Sequence, residues 1–386
     1  MSVDSPLSLA EERFARFEKV EWWQQKRLAS ARILVAGAGA LGNEVIKNLA
    51  LLGVGNLQIA DMDSVEISNL TRSPLFRESD AGSPKAICAA RAARELYPGI
   101  RVQALVGNLL SDLGLGWIRW ADVVVGALDN REARLFLNAA CARLGRPWID
   151  GGIEVMQGIA RGFHPPQTAC YECTMSEVDW RIVNDRRSCS MLARRALAHG
   201  GVPTTPITAS VIGAIQSQEV LKILHGLPAL LGSGFVYEGA THQSYAVSYR
   251  IHPDCPWHEG VPPVEELLDC GSSTPLERVW AHAAQRLGGC DAIDLGREIV
   301  ESLQCVNCGH TREILMTADA VTEDEAACPL CRADCVPQYV HSLSSSSRHL
   351  SRTPREIGLP GWDILWARHG DRFIGLELAA DGPGGQ

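Results

Sequence analysis

The segment Ile33-Leu-Val-Ala-Gly37-Ala-Gly39-Ala-Leu-Gly42 joins a short apolar strand to a glycine-rich turn. Gly37 permits the tight turn, Gly39 lets the backbone approach a phosphate, and Gly42 lets the next helix pack on the strand. The free N–H groups at the start of that helix, predicted over residues 43–52, favour a bound anion. The segment therefore predicts a phosphate-binding turn between a strand and a helix.

A second apolar strand, residues 57–61, ends at Asp61. An acidic residue at this place usually accepts hydrogen bonds from a ribose hydroxyl group. The glycine turn and Asp61 alone suit an NAD-dependent oxidoreductase as well as an ATP-binding protein.

The polar residues that follow favour a triphosphate. Arg72 can bind phosphate oxygens with two N–H groups, Lys85 can act as a point charge, and Asn69 can donate to a terminal oxygen. A nicotinamide site has little use for these three residues. We therefore favour ATP over NAD.

Asp129 follows another apolar strand, residues 122–126, at the edge of the sheet where ligands bind. Its carboxylate can hold the Mg²⁺ of MgATP. Alternatively, Asp129 and Asn130 cap the helix predicted over residues 131–144, and the two roles are compatible.

These motifs resemble a known family. Gly-Ala-Gly-Ala-Leu-Gly, Asp-x-Asp-x-Val-x-x-Ser-Asn-Leu-x-Arg, Pro-Lys-Ala and Leu-Asp-Asn-x-x-x-Arg are similar to the adenylation domain of the ThiF/MoeB and ubiquitin-activating enzyme superfamily, over about residues 10–260. The resemblance implies that the C-terminal glycine carboxylate of a ubiquitin-like protein attacks the α-phosphate of ATP. The products are an acyl adenylate and pyrophosphate.

The resemblance also implies the roles of individual residues. Asp61 would hold the ribose, and Asp129 would hold the magnesium. Asn69, Arg72 and Lys85 would bind the phosphates. The expected nucleotide-binding set is Gly37, Gly39, Gly42, Asp61, Asp63, Asn69, Arg72, Lys85, Asp129 and Asn130. Arg16 resembles an arginine that the family sends into the neighbouring protomer's ATP site, which implies a homodimer. Alternatively, Arg16 is an exposed charge on an amphipathic helix.

Composition indicates a cytoplasmic enzyme. The chain has 386 residues, of which 46% are apolar, yet no apolar run approaches the roughly 20 residues of a membrane helix. The N-terminus does not resemble a signal peptide. A net charge of −9 disfavours nonspecific binding of nucleic acid.

Thirteen cysteines in a chain of this kind point to metal ligands or nucleophiles rather than disulfides. The first candidate zinc site has three cysteines and one histidine, namely Cys170, Cys173, Cys255 and His258. Such a closed Cys₃His site is structural, not catalytic. The family usually has a second Cys-x-x-Cys here, so His258 is a departure from its pattern.

A second set of cysteines predicts a zinc ribbon. Its members form two Cys-x-x-Cys pairs, namely Cys305, Cys308, Cys328 and Cys331. The alternative is four unrelated buried thiols. Cys335 is close enough in sequence to compete as a ligand.

Cys189 is the candidate nucleophile. Arg186 and Arg187 precede it in a polar segment and would favour the thiolate. In the superfamily, a cysteine in this crossover segment accepts the ubiquitin-like protein as a thioester or takes part in sulfur transfer. Alternatively, Cys189 is a structural cysteine in a loop.

The expected architecture is α/β: a doubly wound Rossmann-like adenylation domain with a mixed sheet, followed by a module that contains the zinc ribbon. Its divisions are an N-terminal helix (1–30), the adenylation domain (31–262) with a crossover segment (174–206), and a C-terminal module (266–386) with the ribbon at 303–335. Within this module we expect a helix over 276–287, a serine-rich linker at 342–347 and a terminal hairpin.

We interpret the chain as an ATP-dependent activating enzyme for a ubiquitin-like protein, which passes its product through Cys189 to a conjugating enzyme. The resemblance suggests a bacterial conjugation operon of the antiviral-defence kind. A sulfur-carrier adenylyltransferase of ThiF/MoeB type is the alternative within the family. An NAD-dependent oxidoreductase and a catalytically silent binding subunit are alternatives from other classes.

Overall fold

The computed structural model describes residues 9–188 and 204–380. Its first sheet has eight strands, which are β1 (Arg32–Ala36), β2 (Asn56–Asp61), β3 (Arg101–Val106), β4 (Val123–Gly126), β5 (Trp148–Glu154), β6 (Gln157–Phe163), β7 (Ser233–Glu238) and β8 (Gln243–Ser248). They lie in the order β3-β2-β1-β4-β5-β6-β7-β8. The pairs from β3 to β5 are parallel, and those from β5 to β8 are antiparallel. The predicted mixed sheet is confirmed.

Helices cover both faces of the parallel strands. In chain order the helices are α1 (Leu9–Phe14), α2 (Gln25–Ser30), α3 (Ala40–Leu51), α4 (Lys85–Leu96), α5 (Leu115–Trp120), α6 (Arg131–Leu144), α7 (Glu177–Ser188), α8 (Pro206–His225), α9 (Leu276–Leu287) and α10 (Glu323–Ala326). Ile33 and Val35 of β1 pack toward α3 and α4, whereas Leu34 packs toward α5 and α6. Burial on both faces explains why these strands read as continuous apolar runs. None of the described helices is long and apolar enough to cross a membrane.

The expectation of one helix over residues 1–30 is wrong for the described part of that segment. It forms α1, a 3₁₀ turn at Phe17–Lys19 and α2. The ring of Phe14 contacts those of Phe17 and Tyr97, and Phe17 packs on Trp23. These aromatic contacts accompany the bend, and the contact between Phe14 and Tyr97 holds the segment against the domain.

The C-terminal module has a sheet of its own. Its strands are β9 (Val264–Leu267), β10 (Ala292–Cys305), β11 (Thr311–Thr317), β12 (Cys335–Leu343), β13 (Ile364–His369) and β14 (Arg372–Leu378), in the order β11-β10-β13-β14-β9 with β12 also on β10. The predicted helix is α9, and the predicted terminal hairpin is β13 with β14. The prediction of a serine-rich linker is wrong at its start, because Ser342 belongs to β12 and pairs with Asp294.

Strand β13 belongs to two hydrophobic cores. Ile364 and Trp366 pack among residues of α5 and α6, whereas Leu365 and Ala367 pack in the core beneath α9. Side chains alternate between the two faces of a strand, so one strand can serve both cores. The C-terminal module and the first sheet are therefore packed together through β13.

A buried ion pair also joins the two sheets. Arg297 donates through Nε to Asp363 at 3.0 Å and also contacts the carbonyl oxygens of Leu110 and Leu113. Asp363 in turn accepts from the Leu115 N–H at 2.9 Å. Both charged side chains are at most 5% exposed. Each buried polar group is thus compensated, as burial of charge requires.

Trp366→Ala is expected to lower the free energy of unfolding by about 3–5 kcal/mol, because it removes a fully buried ring between two cores. Urea unfolding followed by circular dichroism measures this change. Trp22→Ala is the matched control, since Trp22 is 42% exposed, and it should cost less than about 1 kcal/mol. Equal losses for the two variants would contradict the packing role of β13.

Candidate functional site

The glycine turn is held against the loop after β4. Gly37 has a φ of +97°, and a Cβ atom placed on it would lie 2.3 Å from the Ala127 carbonyl oxygen. A Cβ atom on Gly42 would lie 2.0 Å from the Gly37 carbonyl oxygen. Beside Gly39, no heavy atom of the described residues outside its chain neighbours comes within 4 Å of such a Cβ position. The structure therefore leaves open space beside the turn where the sequence predicts a phosphate.

Asp61 links the turn to the polar segment after β2. Its Oδ2 accepts the Ala38 N–H at 2.7 Å, and its Oδ1 accepts the Asp63 N–H at 2.8 Å. Burial raises the pKa of Asp61, against the lowering effect of these two N–H groups. The carboxylate keeps further lone pairs with which it can accept hydroxyl donors.

Lys85 lies at the start of α4 and pairs with Asp63. The Lys85 Nζ is 2.8 Å from Asp63 Oδ2, and the lysine side chain is only 12% exposed. Because Asp63 also donates its N–H to Asp61, the three residues form one connected cluster beside the turn. The cluster thus brings one ammonium group and two carboxylates together, and Asp61 joins it to the turn through the Ala38 N–H.

Asn69 and Arg72 lie on and just after a short 3₁₀ helix, Ile67–Thr71. Asn69 is buried, and its Oδ1 accepts the Glu66 N–H at 3.0 Å. Arg72 donates through Nη1 to the Ser68 carbonyl oxygen at 3.0 Å. Binding of phosphate by these two side chains stays a prediction.

Asn130 caps α6, because its Oδ1 accepts the Ala133 N–H at 2.8 Å. Its Nδ2 donates to Asp129 Oδ1 at 3.1 Å. Asp129 itself is exposed at the end of the loop after β4. The capping interpretation therefore holds for Asn130, while the metal-binding role of Asp129 stays a prediction.

Sequence reasoning missed a buried cluster behind this loop. Asp150 is fully buried and is contacted by Arg134 at 2.8 Å and by Arg161 at 3.1 Å. The sequence did contain a signal for Asp150. This residue follows apolar residues of β5, just as Asp61 follows the apolar residues of β2. The arginine partners come from α6 and β6, which sequence spacing alone does not bring together.

Arg16 is exposed on the N-terminal segment. Cys189 lies outside the described residues, directly after α7 ends at Ser188. The first half of α7 is held to the domain by an ion pair between Arg131 and Asp179 at 2.7 Å and by the buried Val183. The roles predicted for Arg16 and Cys189 stay predictions.

The first predicted zinc site is assembled in the structure. The ligand atoms of Cys170, Cys173, Cys255 and His258 all lie within 4.8 Å of one another. The Cys170 sulfur is 3.5 Å from that of Cys255, close to the separation of about 3.8 Å that tetrahedral Zn–S bonds of about 2.3 Å give. Asn138 donates to the Cys170 sulfur at 3.5 Å, as an outer hydrogen-bond partner would. The residues present fit a structural zinc ion.

The second cluster is also assembled, from Cys305, Cys308, Cys328 and Cys331. The Asn307 and Cys308 N–H groups donate to the Cys305 sulfur and lower the pKa of this thiol, which favours the thiolate that zinc requires. Cys335 is not in this group, although it is paired in register with Cys305 across β10 and β12. Cys335 is therefore not supported as a competing ligand.

Metal analysis of the purified protein should find two zinc ions per chain. Cys328→Ser should reduce the content to one, because it removes a ligand from a four-thiolate site. Cys290→Ser is the control, since Cys290 lies outside both clusters, and it should retain two. A Cys328→Ser protein that still holds two ions would contradict the assignment of the second site.

Comparison with known proteins agrees with this geometry. The chain matches the ThiF family over residues 11–256. The sulfur carrier protein adenylyltransferase of Thermus thermophilus is 32% identical over 257 residues, which are 64% of this chain and 88% of that protein. The SAMP-activating enzyme E1 of Haloferax volcanii is 34% identical over 247 residues, 63% of this chain and 86% of that protein.

A solved structure shows the same fold. The crystal structure of E. coli MccB with ATP has a TM-score of 0.52 and 22% identity, and the likeness covers 63% of this chain and 73% of that one. The family match spans more than half of the present chain and includes the glycine turn and the three cysteines of the first zinc cluster, whereas His258 lies two residues beyond its end. The chain belongs to the ThiF family.

Proposed function

We propose that this chain is an adenylyltransferase that uses MgATP to activate the C-terminal carboxylate of a small ubiquitin-like protein. The observation that carries the proposal is the cluster of Asp61, Asp63 and Lys85 beside the open glycine turn. Family membership and the names of the two relatives, an adenylyltransferase and an E1 enzyme, support it.

Residues of the cluster and of the neighbouring loops would share the binding of ATP. The N–H groups at the start of α3 receive phosphate oxygens, and Asp61 accepts the ribose hydroxyl groups. Lys85 turns its charge from Asp63 toward the phosphates, and Arg72 adds a second cation. Asp129 would hold magnesium, which when bound neutralises charge on the phosphates.

The proposed reaction forms an acyl adenylate at the C-terminus of the carrier protein. A carboxylate oxygen of the carrier protein attacks the α-phosphorus, and the bond from that phosphorus to the bridging oxygen of the β-phosphate breaks. Pyrophosphate leaves with the electron pair of that bond. Lys85 and Arg72 stabilise the negative charge that develops on the phosphate oxygens.

The fate of the adenylate separates two candidates. In the first, the Cys189 thiolate displaces AMP to form a thioester, and the carrier passes to a conjugating enzyme in a pathway of the antiviral-defence kind. Arg186 and Arg187 beside Cys189 support a reactive thiolate. In the second, the adenylate is used for sulfur transfer, and the similarity to the Thermus sulfur carrier enzyme supports this alternative equally.

The proposal extends to assembly. Residues 31–262 would act as the adenylation domain, and the module over 266–386 would dock the carrier or the conjugating enzyme. The exposed Arg16 would enter the ATP site of a second copy in a homodimer. The cytoplasmic location expected from the sequence stays a prediction.

ATP–pyrophosphate exchange, measured with a ubiquitin-like protein encoded beside this gene, tests adenylation. Asp129→Asn should lower the exchange rate by about 100-fold, because the loop loses its metal-binding carboxylate. Asp371→Asn is the control, since Asp371 is an exposed carboxylate in the β13–β14 turn. Exchange that is absent in the wild-type protein would overturn the proposal.

Intact mass spectrometry with MgATP and the same carrier decides the fate of the adenylate. A covalent adduct that thiol removes, and that Cys189→Ala lacks, is expected for the thioester pathway. Cys290→Ala should retain the adduct. Pyrophosphate release without an adduct would instead favour the sulfur-carrier candidate.

A further inference from the structure

The buried carboxylate of Asp150 organises the edge of the sheet behind the Asp129 loop. Its Oδ1 accepts from Arg134 Nε at 2.8 Å, and its Oδ2 accepts from Arg161 Nε at 3.1 Å. Asp150 is 0% exposed, and the arginine side chains are 12% and 17% exposed. With so little water available, each hydrogen-bonding group depends on its protein partners for orientation.

Arg134 uses its remaining N–H groups on the main chain. Its Nη2 donates to the Leu128 carbonyl oxygen at 2.6 Å and to the Gly151 carbonyl oxygen at 3.0 Å. Leu128 immediately precedes Asp129 in the loop after β4. One guanidinium group therefore ties the peptide next to Asp129 to the middle of β5.

A second side chain fixes the same edge of the sheet. Gln216 of α8 is fully buried, and its Nε2 donates to the carbonyl oxygens of Gly126 and Ile149 at 2.9 and 3.3 Å. Gly126 is the last residue of β4, and Ile149 lies beside it near the start of β5. The start of the Asp129 loop is thus held by Gln216, and its middle by Arg134.

Arg161 completes the cluster from β6. Its guanidinium lies 4.9 Å from the centre of the Tyr171 ring, in the arrangement of a cation–π contact. Tyr171 follows the zinc-site residue Cys170, and its N–H donates to Asn138 on α6 at 2.8 Å. The cluster contains two arginine cations but only one carboxylate anion. The Tyr171 ring therefore helps to compensate the charge of Arg161.

We propose that Arg134, oriented by Asp150 and Arg161, is a positioning residue that holds the Asp129 loop in the geometry needed to bind the metal of MgATP. This inference rests on the proposed function. Asp129 is exposed, and the Leu128 carbonyl oxygen directly before it accepts from Arg134, so this hydrogen bond orients the peptide that carries Asp129.

The expected size of the effect follows from metal sites in general. Loss of a hydrogen-bonding partner behind a metal ligand typically weakens metal affinity or activity by about 10–100-fold. A lysine at position 134 can keep an ion pair with Asp150. It cannot reach Asp150, Leu128 and Gly151 together, because an ammonium group lacks the planar fork of arginine.

The chain offers a matched control for Arg134→Lys. Arg297 is also a buried arginine that pairs with a buried aspartate and binds two carbonyl oxygens, those of Leu110 and Leu113. It lies at the interface between the two sheets. Arg297→Lys should therefore cost comparable stability without altering the Asp129 loop.

The test measures binding of Mn²⁺ with the ATP analogue AMPCPP by electron paramagnetic resonance, together with the Mg²⁺ dependence of ATP–pyrophosphate exchange. Arg134→Lys is expected to weaken Mn²⁺–AMPCPP binding and to raise the half-saturating Mg²⁺ concentration, each by about 10-fold. Arg297→Lys should stay within about 2-fold of wild type on both measures. Thermal unfolding of both variants shows whether their stability losses are similar.

Arg161→Met provides a second variant if Arg134→Lys fails to fold. It retains the Arg134–Asp150 pair and is expected to shift the same two measures by about 3-fold, because Asp150 loses one of its two anchors. The inference is overturned if metal binding is unchanged in the variants that fold, or if Arg297→Lys shifts it equally. Wild-type binding of Mn²⁺–AMPCPP without any exchange would overturn the proposed function and leave this inference to be decided by the variants.

Discussion

The close approach of Gly37 to Ala127 is the constraint on which the candidate site depends. At 2.3 Å from the Ala127 carbonyl oxygen, the Cβ position of Gly37 can hold no side chain. The contact joins the loop after β1 to the loop after β4, which lead to the two halves of the site. The glycine turn lies on one side and Asp129 on the other, and the Asp61 carboxylate adds the loop after β2. Parallel strands bring these loops together because all their carboxyl ends meet at one edge.

Local signals made much of this edge predictable. Each of Asp61 and Asp129 follows a short buried strand, and the cysteine pairs have the spacing that metal sites require. The cap formed by Asn130 was also foreseeable, since it depends on residues three positions apart. By contrast, the roles predicted for these residues in binding metal and phosphate depend on a bound ion and a bound nucleotide, which the fold of the chain alone does not reveal.

The features that sequence reasoning missed depend on contacts between distant segments. Asp150 carries the same local signal as Asp61, yet its partners Arg134 and Arg161 come from a helix and from an antiparallel neighbour strand. The N-terminal segment was expected to form one amphipathic helix but bends, and Phe14 contacts Tyr97 of the domain while Phe17 packs on Trp23 within the segment. The sequence predicted the terminal hairpin that contains β13, but it could not show that each face of this strand belongs to a different core.

The first cysteine cluster has a consequence for the chain between its two halves. Cys170 and Cys255 are 85 positions apart, and the interval contains α7, Cys189 and α8. A zinc ion bound there would close a long loop, and such a cross-link removes more conformational entropy from the unfolded chain as the loop lengthens. The crossover segment would then be fixed to the zinc site at its start, directly after Cys173, while α8, β7 and β8 lie between its end and Cys255. The closed loop would also contain β7 and β8, so one zinc ion would restrain two strands of the first sheet together with the crossover segment.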